Sequence, residues 1–155
     1  MATDIASRIM DDLKAAMRAK DTARTTVLRG LKSEFKYREI ELGKPLDERD
    51  YQQVLRAAQK KRRDAIEMYQ RGGRADLVEK EEGELAIITE YLPQEMPDDQ
   101  LNALVQEVIN EVGAKAPNEL GKVMGPAMAK VAGRAAGDRV RQAVADQLAA
   151  MAAGN

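Results

Sequence analysis

No stretch of this chain alternates apolar and polar residues for long, and aromatic residues, which favour strands, make up only 3% of it. Apolar residues instead recur every three or four positions, the period of a helix with one buried face. The spacing therefore predicts an all-α protein. Ile5, Ile9, Leu13 and Met17 share one face after a cap at Thr3 or Asp4, and Val27, Leu28, Leu31, Phe35 and Leu42 share another that Gly43 closes. Gly43-Lys44-Pro45 interrupts the pattern. Asp47 then caps a third helix carrying Tyr51, Val54, Leu55, Ala58, Ile66 and Tyr69 as far as Gly72-Gly73, and a fourth carries Leu77, Val78, Leu85, Ile88 and Leu92.

The segment YLPQEMPDD places two prolines four residues apart, which ends the fourth helix and offers Asp98 as the next cap. We expect an N-terminal four-helix unit over residues 1–93 and a C-terminal three-helix unit over residues 97–155, with the segment between them the first to be cut by protease. Leu101, Leu104, Val105, Val108, Ile109 and Val112 form a helix closed by Gly113. Leu120, Val123, Met124, Ala127, Met128 and Val131 form a second despite Pro126, and Val140, Val144, Leu148 and Met151 lie on one face of a third that starts near Asp138.

The chain has 155 residues, 44% of them apolar, enough to bury a core. It contains no cysteine and no histidine, so it offers no thiol nucleophile, no imidazole base and none of the commonest transition-metal ligands. No cofactor is expected. The sequence has no apolar run of about eighteen residues that would cross a membrane. Its start, MATDIASRIMDDLKAAM, carries acids where a signal peptide needs a basic flank, and we expect a cytoplasmic protein with no membrane partner.

A formal net charge of -1 means that any phosphate binding must come from segregated charge. Segregation is present. Between Gln52 and Arg74 the bases Arg56, Lys60, Lys61, Arg62, Arg63, Arg71 and Arg74 meet only Asp64 and Glu67, whereas Asp76 to Asp99 carries nine acids against the single base Lys80. After Gly113 the bases Lys115, Lys122, Lys130, Arg134, Arg139 and Arg141 outnumber the acids again. At about 100° per residue, Arg56, Lys60 and Arg63 point outward together on the third helix, a solvated face that also suits phosphates at regular spacing. Arg62 falls inside the apolar stripe, where a charge needs a partner, and an antiparallel hairpin about Gly72-Gly73 brings Glu81 or Glu84 to its height. We expect a structural ion pair there. Glu79, Glu81, Glu82 and Glu84 lack the cleft that carboxylate catalysis needs, so no catalytic residue is assigned.

The segment from Gly121 to Asp138 is more specific. Gly133-Arg134-Ala135-Ala136-Gly137-Asp138 turns into a helix N-terminus whose amides, with Lys122, Lys130, Arg134 and Arg139 nearby, suit a phosphate. The runs TTVLRGLKSEFKYREIE, AAQKKRRDAIEMYQRGGRADLVEKEEGELAIITEYLP and GKVMGPAMAKVAGRAAGDRVRQAV together resemble the GatB/YqeY family over nearly the whole chain. The resemblance implies an all-helical protein similar to the tail of the B subunit of the glutamine-dependent aspartyl/glutamyl-tRNA amidotransferase. That tail helps to hold tRNA while glutaminase and kinase chemistry reside elsewhere.

Stand-alone members are often described as carbon-nitrogen ligases using glutamine as amido donor. This chain lacks the amidase Ser-Lys machinery and the cradle domain, and Gly125-Pro126 stands where the family pattern suggests bulkier or basic residues. The leading expectation is a non-enzymatic module that holds tRNA or another structured RNA through its phosphates, with few aromatic residues for base stacking. The alternative is an adaptor that docks to an amidotransferase, an aminoacyl-tRNA synthetase or another protein.

Overall fold

The computed structural model describes residues 4–154, with Asp4 described by its backbone alone. The cap expected at Thr3 or Asp4 lies outside the described side chains. Among the described residues there are seven α-helices and no strand: α1 Asp4–Arg18, α2 Thr22–Leu42, α3 Glu48–Arg71, α4 Ala75–Thr89, α5 Asp98–Val112, α6 Leu120–Val131 and α7 Gly137–Ala153. A short 3-10 turn, Pro117–Glu119, precedes α6. The chain divides into two compact units, Met1–Leu92 and Pro93–Asn155.

Local chemistry sets several of the helix ends. The Asp47 carboxylate accepts the Asp50 amide at 2.8 Å and the Asp50 carboxylate accepts the Asp47 amide at 3.0 Å, a reciprocal box that starts α3 and holds the Asp47 carboxyl below its usual range. Gly43 and Gly113 end α2 and α5 with φ of 69° and 74°, the left-handed region that costs glycine nothing. The start of α5 differs by one residue from the expectation that Asp98 caps it. Pro97 takes the extended cap conformation and its carbonyl already accepts the Leu101 amide at 3.0 Å, so Asp98 becomes the first helical residue. Pro126 sits inside α6 on an exposed position, where water can serve the Lys122 carbonyl that loses its amide donor.

In the first unit Ile5, Ile9 and Leu13 of α1 pack with Val27, Leu28, Leu31 and Phe35 of α2, and Leu55, Ala58 and Ile88 join them from the α3–α4 hairpin. Met17 departs from its expected place in the core and is 49% exposed, because Ala16 takes the inward position in the last turn of α1. From Lys60 to Ile87 no residue is buried; the outer half of the hairpin is held by half-buried side chains such as Ile66, Tyr69, Leu77 and Leu85. The second unit buries Leu101, Val105, Val108 and Ile109 of α5 against Val123, Ala127 and Val131 of α6 and Val140, Val144 and Leu148 of α7.

The fourth helix stops at Thr89, earlier than its apolar pattern suggested, and Leu92 lies beyond it. This lets Tyr91 turn inward until it is 2% exposed. Its hydroxyl donates to the Asp12 carboxylate, the Arg8 guanidinium lies 5.1 Å from its ring centre, and neighbouring Glu90 takes a two-pronged bond from Arg24 at 2.8 and 3.2 Å. Burial first, and then the bond to Asp12, push the Tyr91 phenol well above its ordinary pKa.

Replacing Tyr91 by Phe removes the donor to Asp12 and is expected to cost about 1–3 kcal/mol. Because the folded phenol titrates above the unfolded one, the hydroxyl's contribution is complete below about pH 10 and fades above it. Urea unfolding of wild type and Tyr91→Phe across that range checks both points: the stability gap should be constant near neutrality and narrow in alkali.

Candidate functional site

The four cations expected to form a phosphate site in the second unit are held by the protein's own acceptors. Lys130 bonds Glu107 at 3.1 Å and Glu111 at 2.9 Å, and these bonds raise its pKa. Arg139 reaches Glu95 at 3.1 Å, Asp98 at 2.7 Å and the Met96 carbonyl at 2.8 Å. Burial alone would lower the Arg139 pKa, but the bonds to Asp98 and Glu95 prevail and raise it. Lys122 pairs with Glu119 at 3.4 Å, and Arg134 donates to the Gln94 carbonyl at 3.1 Å and to Gln100 at 3.5 Å.

Five carboxylates therefore stand against three of these four cations, Lys122, Lys130 and Arg139. At the start of α7 the Asp138 carboxylate accepts the Arg139 amide at 2.9 Å, so an anion of the chain itself occupies the helix N-terminus. The segment between the two prolines is tied into the second unit: the Met96 amide donates to the Arg134 carbonyl at 2.7 Å, and Met96 is buried in that unit's core.

On α3 the outward row is also partly engaged. Lys60 bonds Asp64 at 2.9 Å, Arg56 has a partner within the protein, and Arg63 is exposed. The expected ion pair of Arg62 with Glu81 or Glu84 does not form. Arg62 Nη1 makes a long 3.4 Å bond to the Ala58 carbonyl, and its Nε is buried without an acceptor. Glu81 is turned toward Glu84 on its own helix; burial and that neighbour raise its pKa, and Arg62 acts on it only through the field.

A feature that the sequence reading missed lies between α1 and α2. A groove of about 730 Å³ runs there, with Ile9, Leu13 and Phe35 as its floor and the Tyr51 ring meeting Phe35 edge-on at 4.8 Å between ring centres. Met10 and Met17 form one apolar shoulder, and Arg29, Lys32 and Lys36 of α2 line the other side. Among the described residues Lys32 has no ion-pair partner, Arg29 meets the Met17 sulfur at 3.9 Å, and Lys36 meets Glu39 at 3.9 Å. The signal was present in the spacing: residues 29, 32 and 36 fall on one helical face beside Phe35.

A chain built this way is an all-helical protein of two compact units with a groove in the first. It belongs to the YqeY-like protein family, whose profile matches residues 6–148. It is 38% identical over 119 residues to the protein of Lachancea thermotolerans named altered inheritance of mitochondria protein 41, mitochondrial, covering 74% of this chain and 63% of that one. The proteins of the same name from Eremothecium gossypii and Saccharomyces cerevisiae (strain ATCC 204508 / S288c) are 36% and 39% identical, each over half of its own length and over 58% and 59% of this chain. The chain thus spans between 50% and 63% of these relatives. Their names overturn the cytoplasmic expectation, since they are mitochondrial proteins.

Two outcomes test this electrostatic arrangement. Arg139→Ala leaves the Met96 carbonyl and two carboxylates without their donor, and should cost about 1–2 kcal/mol and speed cleavage between residues 94 and 97. Lys122→Ala should stay within about 0.5 kcal/mol. Denaturant unfolding and limited proteolysis read both.

In the α3–α4 hairpin, Arg62→Met removes an unmet donor while keeping the apolar stem, and should leave stability unchanged or raise it. Glu81→Gln should raise the melting temperature at neutral pH, because a raised folded pKa means that ionisation opposes folding; the advantage should vanish below about pH 4, where both states are protonated.

Proposed function

We propose that this chain is a non-catalytic helical module whose partner is another protein, engaged through the first unit. The observation that carries this reading is the contrast between the two units. In the second, Lys122, Lys130 and Arg139 already face carboxylates of the same unit; in the first, an apolar groove stands open beside cations with little or no carboxylate contact among the described residues. Open apolar surface rimmed by charge marks association between proteins more than contact with a phosphate backbone.

The ligase association of the family would need an activated nucleophile or a phosphoryl-transfer site. The chain offers neither histidine nor cysteine, and its acidic fourth helix places Glu79 and Glu82 in solvent. We read that association as kinship with a tRNA-holding tail rather than as a reaction carried out by this chain.

The second reading, tRNA held through its phosphates, rests on the same kinship. It asks Lys130 and Arg139 each to exchange two carboxylates for a phosphate, with those acids left close to the incoming charge. Lys61, Arg63 and Arg141, which have no ion-pair partner among the described residues, are better candidates for such contacts. Affinity capture of the full chain with and without ribonuclease separates the two. Retention of one defined protein after ribonuclease is expected. Recovery of tRNA alone, released by moderate salt, would return the assignment to the RNA reading.

A further inference from the structure

We propose that the α1–α2 groove receives an acidic amphipathic helix of the partner protein. This inference rests on the protein-partner reading and adds the chemistry and geometry of the contact. The groove is bordered by residues 6–17 of α1 and 29–39 of α2, about three helical turns on each side. A three-turn helix presents side chains at i, i+4 and i+7 along one face, which matches a slot of that length.

The floor selects for apolar side chains. Ile9, Leu13 and Phe35 are side chains of the first unit's core whose outer edges form the bottom of the slot. A phosphate backbone laid on that floor would lose water against carbon atoms, with donors on the α2 wall alone. The shoulder is made by two methionines, 40% and 49% exposed, whose unbranched thioethers adapt to a range of partner side chains. An extended peptide would need a free sheet edge, and both walls are helices whose backbone groups bond internally.

Charge fixes the sign of the partner. Arg29, Lys32 and Lys36 stand along one wall with Glu39 as the single acid in the lining. Ile40, 67% exposed, sits one turn beyond Lys36 on the same face and extends the apolar surface. A helix with leucines on one face and glutamates along the flank beside α2 satisfies floor and wall together, whereas a basic helix would repel the wall.

The test uses the full chain and a fluorescein-labelled, 14-residue helical peptide with leucines at i, i+4, i+7 and i+11 and glutamate flanks; a second peptide carries lysine in place of each glutamate. Fluorescence anisotropy is read against wild type, Met10→Lys/Met17→Lys and Lys32→Glu/Lys36→Glu, all at exposed positions, with melting temperatures confirming that each variant folds. The acidic peptide should bind wild type at least about tenfold more tightly than the basic one. The methionine variant should lose binding, and the lysine-to-glutamate variant should reverse the preference.

Equal binding of the two peptides, no binding of either, or binding indifferent to both variants would overturn the proposal. So would self-association of the chain through these residues, seen by sedimentation as a dimer that the methionine variant abolishes, or duplex RNA that displaces the acidic peptide from wild type. If ribonuclease-resistant capture of a defined protein persists in both variants, the protein-partner reading stands and the groove is the wrong place. If the peptide behaves as expected while capture yields only RNA, the groove chemistry stands and the functional reading fails.

Discussion

The guanidinium of Arg139 is the pivot of the second unit. From the first turn of α7 it reaches back to Glu95, the Met96 carbonyl and Asp98, joining the residues that begin the unit to its last helix. A planar cation with several donors suits this task, because one side chain can satisfy a backbone carbonyl and two carboxylates together. Arg134 adds the Gln94 carbonyl, and its own carbonyl takes the Met96 amide. The proline-flanked segment is therefore fastened into the second unit, with Met96 in the core.

The same fastening decides what the surface can attract. Lys130 lies between Glu107 and Glu111, and Lys122 beside Glu119, so the basic run after Gly113 meets acids supplied mainly by α5 and the segment before it. Individual exposed pairs contribute little to stability. Together they cancel a field that an anionic partner would need. In the first unit, by contrast, Lys32 is without an ion pair among the described residues, and Arg29 and Lys36 have contacts at 3.9 Å, beside an apolar slot. The chain belongs to the YqeY-like family, and the groove with its cationic wall lies in the first unit.

Several elements were legible because their causes are local. Asp47 and Asp50 form their box three residues apart, Gly43 and Gly113 reach left-handed φ at the ends of apolar patterns, and Val140, Val144 and Leu148 recur at helical spacing and are buried. Other readings failed where distance in sequence mattered. Arg62 was given Glu81 or Glu84 from matching heights on a hairpin, but Glu81 turned to Glu84 on its own helix. Tyr91 was read only as part of a helix-ending segment, and Asp12, its acceptor, lies far away on α1.

What the sequence determined by itself was the set of helices, through apolar period, caps and glycine stops, because each depends on residues within a turn or two. What the tertiary structure decided was which charges remain available. A lysine's ability to bind an outside anion depends on the carboxylates within a few ångströms, and those of Lys130 and Arg139 come from residues 19 to 44 positions earlier. The groove between α1 and α2 likewise exists only once two helices pack with Met10 and Met17 at their open edge. Coulombic attraction and concavity are properties of folded neighbours, which a run of residue types along the chain does not contain.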